Sequence, residues 1–354
     1  MTIYIRLLAE HFAKNNKVCV VTSRYNDSLL EREIINNVSV FRTKIFCRIS
    51  KGVISPTFIS KSIKLARSAD IVNVHLPMFE AGFIAATIES QKLIVTYHCD
   101  INLEGYFLKN VIEKIMFFSM GKLLHKAKKI VVNNIDYARD SGFLSRFIDK
   151  CIEINPPFFS TIKTQEKYKS GIENYKIVGF LGRFVKEKGI EYLIKAIPYI
   201  LEKKPNIYFL LGGEYKNIAG GGNIKEIMRL TEKYKENIKI LGRIPYEELG
   251  KFYSSLDVLV LPSINSFESF GMVQVEAMLC GTPVVASNLR GVRQIILKTG
   301  MGELAEAKNE KDLADKILKV IENKEYYYKP REEILKIYNN SDIFKRYAAI
   351  FGIK

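Results

Sequence analysis

Short apolar runs alternate with stretches of helical periodicity along nearly the whole chain. Residues 3–14 repeat apolar positions at helical spacing and lead straight into an apolar run at Val18–Val21. Further strand-like runs follow at Val38–Phe41, Ile71–Val74, Leu93–Tyr97, Ile130–Val132 and Cys151–Ile154, with helical patterns near 57–68, 79–90 and 107–126. Apolar strands alternating with helices predict largely parallel sheets buried beneath helices. Asn155-Pro156-Pro157 interrupts the pattern, and the polar, lysine-rich stretch to about Asn174 reads as a linker. A second series then begins, with strands at Ile177–Leu181, Ile207–Leu211, 238–240, Val258–Leu261 and Val284–Ala286. Its helices are expected at 189–202, 223–235, 246–254, 271–280, 291–297 and 309–323. The fold class is therefore α/β, with one domain over 1–157 and a second over 158–335. A helical tail at 336–354 is placed to pack back on the first domain.

Composition narrows this little. A chain of 354 residues is long enough for two separate cores. Its five cysteines include no CxxC pair, which fits buried thiols in a reducing, cytoplasmic setting better than zinc or disulfides. No apolar run reaches 18 residues and no charged leader opens the chain, so neither a spanning helix nor a secretory signal is expected. The net charge of +16 changes the picture more, because it invites nucleic acid, an anionic membrane or phosphorylated small molecules. Zinc-finger spacing, aromatic-basic RNA motifs and a basic tail are all missing, so nucleic acid is not an expected partner.

The candidate chemistry lies at strand ends in the second half. Strand Ile177–Leu181 runs into Gly182-Arg183, and the turn to Lys188-Gly189 opens a helix. Cations at the carboxyl end of a parallel strand stand where open α/β sheets bind ligands. An arginine fork and a lysine point charge both suit phosphate, although a basic turn alone is also an ordinary wet loop. Strand Val258–Leu261 ends in a loop carrying Glu268, Ser269, Phe270 and Gly271, then a helix containing Glu276. Backbone N–H groups of Ser269, Phe270, Gly271 and Met272 at that helix start, together with its dipole, would suit a diphosphate. Glu268 is placed to meet sugar hydroxyls beside it. Glu276, on a mostly apolar helix, either faces solvent or accepts hydrogen bonds from a ribose diol.

The stretch Glu268–Gly291, ESFGMVQVEAMLCGTPVVASNLRG, resembles the signature of the retaining glycosyltransferase family 4. Gly182, Arg183, Lys188 and Gly189 match that family's phosphate-binding turn, and Leu211-Gly212-Gly213-Glu214 resembles its glycine-rich strand end. The resemblance covers nearly all of 17–325. It implies a GT-B fold, two facing Rossmann-like domains with parallel sheets around an interdomain cleft. It also implies metal-independent transfer, with retention, from a nucleoside diphosphate sugar, and no cofactor. Family frequency favours a UDP-sugar. By resemblance, Arg183 and Lys188 hold the diphosphate, Glu276 the ribose and Glu268 the donor sugar, while Phe270 and Gly271 offer amides.

In the first half, His98 follows strand Leu93–Tyr97 and is one of four histidines. It either structures its loop or, as the resemblance implies for a histidine in this TYH context, touches the transferring sugar. The leaving phosphate would then deprotonate the acceptor hydroxyl. His75 matches a family position that shapes the acceptor pocket, and Arg6 is placed near the acceptor, whereas His11 and His125 read as packing or surface residues. Residues 107–129 join bulky apolar side chains to six lysines. Either the apolar face meets the core, or this basic helix lies in an anionic membrane interface. The resemblance implies a glycan, glycolipid or lipid-linked carrier as acceptor, and the protein is expected to be a monomer or homodimer. Family members usually open with a strand and a glycine-rich loop, whereas this chain opens on the following helix. Within the same fold an epimerase, a sugar phosphorylase and an inactive nucleotide-sugar-binding subunit remain alternatives. An epimerase would call on first-domain acids, of which Asp100 and Glu104 are the available pair.

Overall fold

The computed structural model describes residues 2–49, 52–101, 109–166, 174–216 and 224–353. The chain forms two compact units, one of residues 1–158 with 340–354 and the other of residues 159–339.

In the first unit the strands are β1 (Val18–Ser23), β2 (Arg32–Ile35), β3 (Val38–Thr43), β4 (Cys47–Ile49), β5 (Gly52–Ile54), β6 (Val72–Leu76), β7 (Leu93–Tyr97), β8 (Lys129–Val132) and β9 (Cys151–Glu153). Strands β6-β7-β8-β9 form one all-parallel sheet. Every residue of β7 is buried, as the apolar run LIVTY requires of a central parallel strand. Strand β1 pairs in parallel with β3 in a separate three-stranded sheet, and β2 joins β3 antiparallel. The β2–β3 hairpin was not expected from periodicity. Its two-residue loop is Asn36-Asn37, both at positive φ (48° and 65°), which asparagine tolerates better than most residues. The β4–β5 hairpin is a second addition. Strands β1 and β6 each end their own sheet among the described residues, and no ladder joins the two.

Helix Thr2–Phe12 lays Ala9 and the following Ala13 on Val38 and its neighbours. Helix Lys109–Lys126 buries Met120, Leu123 and Leu124 against the sheet. The tail helix Asn340–Phe351 belongs to this unit and buries Ile343 and Tyr347.

The second unit contains β10 (Lys176–Leu181), β11 (Ile207–Gly212), β12 (Ile238–Gly242), β13 (Val258–Leu261), β14 (Val284–Ser287) and β15 (Gly302–Ala305). All six are parallel, in the order β12-β11-β10-β13-β14-β15. The chain winds outward from β10 to β12, then returns to β13 on the other side of β10. The strand order reverses between β10 and β13, and a doubly wound sheet binds ligands outside the carboxyl ends at that point. Helix Ile190–Lys203 buries Ile190, Leu193, Ile194, Ile197 and Ile200 at three- and four-residue spacing, and packs with helix Glu310–Glu322 in the same core. Of the helix expected at 223–235, Ile224–Thr231 is α-helical and Glu232–Tyr234 continues it as a 3-10 turn, while the helix expected at 291–297 runs over Gln294–Thr299. The Arg290–Arg293 turn takes up the difference.

Candidate functional site

The loops after β10 and β13 flank the reversal point, and glycines set their geometry. Gly182 N donates to Gly212 O at 3.1 Å. Gly213, with φ +134°, comes so near that a Cβ on it would lie 1.8 Å from Gly182 O. Only glycine allows two strand ends to meet in that way. Gly189 at φ +63° ends the turn Lys186–Lys188, and a Cβ there would lie 1.9 Å from Pro262 O. The basic turn is thereby held against the end of β13. Ile264 N completes the contact by donating to Glu187 O at 3.1 Å.

This packing brings Lys188 onto Glu268, and Lys188 Nζ donates to Glu268 Oε2 in an ion pair. A predicted phosphate ligand and a predicted sugar ligand thus share one locus. The Arg183 side chain is half exposed, its guanidinium 3.9 Å from Glu187. In the β13 loop, Asn265 Oδ1 accepts from Phe267 N at 3.1 Å, bending the chain before Glu268. A Cβ on Gly291 would lie 2.4 Å from Glu268 O and 2.7 Å from Ser269 Cα, so the loop after β14 closes on Glu268 and Ser269.

Helix Met272–Leu279 opens at Gly271 (φ 82°) with no side-chain cap. Phe270 is buried edge-on to Tyr338, with centroids 6.1 Å apart. Sequence reasoning passed over Gln274, whose Nε2 donates to Phe270 O and to Val292 O, each at 3.2 Å, and so fixes the loop ahead of the helix. Gln274 Oε1 and Ser263 Oγ are buried without a partner among the described residues.

Glu276 does not face solvent. It is 5% exposed on a helix whose neighbours Val275, Ala277, Met278 and Leu279 are also buried. Tyr253 OH donates to Glu276 Oε2 at 2.8 Å. Burial pushes the carboxyl up to about 7, with the Tyr253 hydrogen bond pulling the other way. The same pairing, after burial, holds the Tyr253 phenol well above its ordinary value. Tyr253 lies 23 residues before Glu276, on helix Leu249–Ser254, and no local spacing marks it.

In the first unit, His98 is buried and its Nε2 lies 2.9 Å from His75 Nδ1. Centroids 5.2 Å apart and rings 19° from parallel describe an in-plane hydrogen bond rather than a face-to-face stack. Tyr4 meets the His98 ring edge-on at 5.0 Å. Burial holds His98 well below its ordinary value, with His75 adding to the effect, and takes His75 down to about 3. Both rings are therefore neutral at pH 7. Asp100 Oδ1 accepts from Tyr97 OH and Ser141 Oγ, each at 2.7 Å, which ties it to the scaffold. Glu104, Phe107 and Leu108 lie outside the described residues. Arg6 is exposed and paired with Glu10 at 2.8 Å, and His11 stacks on Phe344 at 3.8 Å. The basic helix Lys109–Lys126 has two unlike sides. One side is core, while Val111, Ile115 and Phe118 stand exposed at helical spacing beside Lys114 and Lys122. Lys122 Nζ lies 4.4 Å over the Phe118 ring. Among the described residues no group of His, Cys, Asp or Glu is arranged to hold a metal ion.

Comparison with solved structures gives the class of fold. The chain is similar to sucrose-phosphate synthase from Thermosynechococcus elongatus, with a TM-score of 0.77 at 19% identity over 99% of this chain and 92% of that one. It is also similar to Anabaena Alr3699/HepE in complex with UDP and glucose, with a TM-score of 0.76 at 18% identity over 99% and 95% of the two chains. Both likenesses place the chain in the GT-B fold. Residues 1–141 match the family described as Glycosyltransferase Family 4, and residues 162–337 match Glycosyl transferases group 1. An uncharacterized glycosyltransferase of Methanocaldococcus jannaschii is 30% identical over 305 residues, 85% of this chain and 78% of that protein. The chain belongs to the family 4, group 1 glycosyltransferases.

Proposed function

We propose that the chain is a retaining, metal-independent glycosyltransferase that moves a sugar from a nucleoside diphosphate sugar, UDP-sugar favoured, to a glycan, glycolipid or lipid-linked acceptor. The observation that carries this reading is the convergence, at the β10/β13 reversal, of Lys188, Glu268 and the start of helix Met272–Leu279, with Glu276 further along that helix. Positive charge and a helix dipole suit a diphosphate. Lys188 has to exchange Glu268 for phosphate, which frees Glu268 for sugar hydroxyls. Arg183 is half exposed, so its fork can turn to phosphate oxygens. Glu276, with one oxygen held by Tyr253, offers its carboxyl to the ribose diol. His98 supplies a polar contact to the transferred sugar. The UDP and glucose held by the Anabaena protein support the choice of base. The exposed apolar stripe with Lys114 and Lys122 supports peripheral contact with an anionic membrane on the cytoplasmic side.

The test is a nucleotide-sugar panel, assayed by calorimetry for binding and by mass spectrometry for transfer, with the anomeric configuration of the product read by NMR. The expected result is UDP binding without added metal and retention at the anomeric carbon. Arg183→Ala should weaken UDP binding by about tenfold. Unchanged affinity in that variant, or an inverted product, refutes the corresponding part.

A further inference from the structure

The direction of each hydrogen bond around His98 can be followed from atom to atom. Thr96 Oγ1 donates to Asn73 Oδ1 at 3.0 Å, which leaves Asn73 Nδ2 facing His75 Nε2 at 3.2 Å. An amide nitrogen only donates, so His75 Nε2 is the acceptor and its ring proton sits on Nδ1. That N–H meets His98 Nε2 at 2.9 Å, so His98 Nε2 accepts as well. A neutral His98 then carries its proton on Nδ1. The chain of donors extends backwards without conflict. The single proton of Thr96 is committed to Asn73, so Tyr347 OH, 3.4 Å away, donates to Thr96, and Tyr4 OH donates to Tyr347 OH at 2.5 Å. Nδ1 of His98 has no partner among the described residues.

We propose that Asn73 and His75 are positioning residues that lock His98 as its Nδ1–H tautomer, so that His98 presents a hydrogen-bond donor to an oxygen of the transferred sugar. This rests on the reading above that His98 touches that sugar. A protonated Nδ1 cannot take a proton, so this histidine is a donor and not the general base. The relay reaches Tyr347 on the tail helix, 251 residues from Thr96, and gives that helix a part in the state of His98.

The test uses the full chain labelled with 15N-histidine and long-range proton–nitrogen correlation NMR at neutral pH. The chain has four histidines, and the spectrum of His98→Gln identifies the His98 signals. The expected pattern is a protonated Nδ1 and an unprotonated Nε2 on both His75 and His98. A proton on Nε2 of His98, or an imidazolium ring there, overturns the proposal whatever the activity. Asn73→Leu removes the donor that sets the relay. It should mix the two tautomers in the spectrum and lower kcat by about tenfold, with less than about twofold change in donor KM. His75→Asn keeps a side-chain N–H near the place of Nδ1 and should recover most of the kcat that His75→Ala loses. An Nδ1–H tautomer in the spectrum with kcat unchanged in Asn73→Leu and His75→Ala overturns the positioning role. If His98→Ala also transfers normally, it is the sugar contact itself, and not the relay geometry, that has failed.

Discussion

Replacing Glu276 with glutamine separates the stability of the second unit from its proposed ligand. The carboxyl is 5% exposed, and burial lifts it from 4.5 to about 7 against the pull of one Tyr253 hydrogen bond. Below pH 4.5 the group is protonated in both folded and unfolded chains and contributes no difference. Between pH 4.5 and about 7 the unfolded chain releases its proton while the folded chain keeps it, so stability falls as pH rises. Above about pH 7 the folded protein carries the full cost of a buried carboxylate, on the order of 3 kcal/mol. A glutamine in its place would be neutral at every pH and could still accept from Tyr253. Glu276→Gln should therefore match the native chain near pH 4.5 and exceed it by up to ~3 kcal/mol above pH 7. Urea unfolding read by circular dichroism at pH 4.5, 6 and 8 measures this, since the chain has no tryptophan to report on the helix. The same variant should bind UDP roughly tenfold more weakly, because a charge-assisted bond to the ribose is lost. A stability difference that does not grow with pH refutes the assignment of a buried carboxyl held near neutrality. Greater stability with undiminished UDP affinity refutes the ribose role.

Other outcomes follow from single features of the two units. His98→Ala should lower turnover by tenfold or more while UDP binding in calorimetry changes little, because the proposed contact is with the reacting sugar (~1.4 kcal/mol or more in the transition state). Gly213→Ala would drive a Cβ to 1.8 Å from Gly182 O at a φ of +134°, and should cost several kcal/mol, read as a lowered Tm and loss of UDP binding. Ile115→Ser with Phe118→Ser removes two exposed apolar side chains, so binding to anionic vesicles in a flotation assay should fall severalfold while UDP affinity is retained.

Most of the parallel strands were legible from the chain because their signal is local, although β15, the short GELA segment, was not read as a strand. LIVTY at β7 and VLVL at β13 are short runs rich in apolar and β-branched residues, which suit a covered parallel strand. The loops around Gly182–Gly189 and Glu268–Gly271 are also contiguous, so residue type and spacing raised them as candidate anion sites, with an ordinary wet loop as the alternative for the first. Hairpin β2–β3 was missed because REII has three of its four residues exposed, and its turn rests on two asparagines at positive φ rather than on an Asn-Gly pair. Periodicity reports that a strand is apolar and not what lies beside it, so periodicity did not show that β1 and β6 stand in different sheets.

What the sequence by itself determined is the alternation of strands and helices, the two α/β units and the position of the basic and glycine-rich turns along the chain. Only the tertiary structure decided which of those groups meet. Lys188 and Glu268 are 80 residues apart and form an ion pair because Gly189 lets the first loop press on Pro262. Glu276 could have faced water on sequence grounds. It is buried because apolar side chains surround it and Tyr253 supplies a donor from another helix. The tautomer of His98 is set through His75, Asn73 and Thr96, with Tyr347 brought in from the far end of the chain. Hydrophobic pattern records how one segment faces its core. The protonation state of a buried group depends on partners that only folding brings within hydrogen-bond distance.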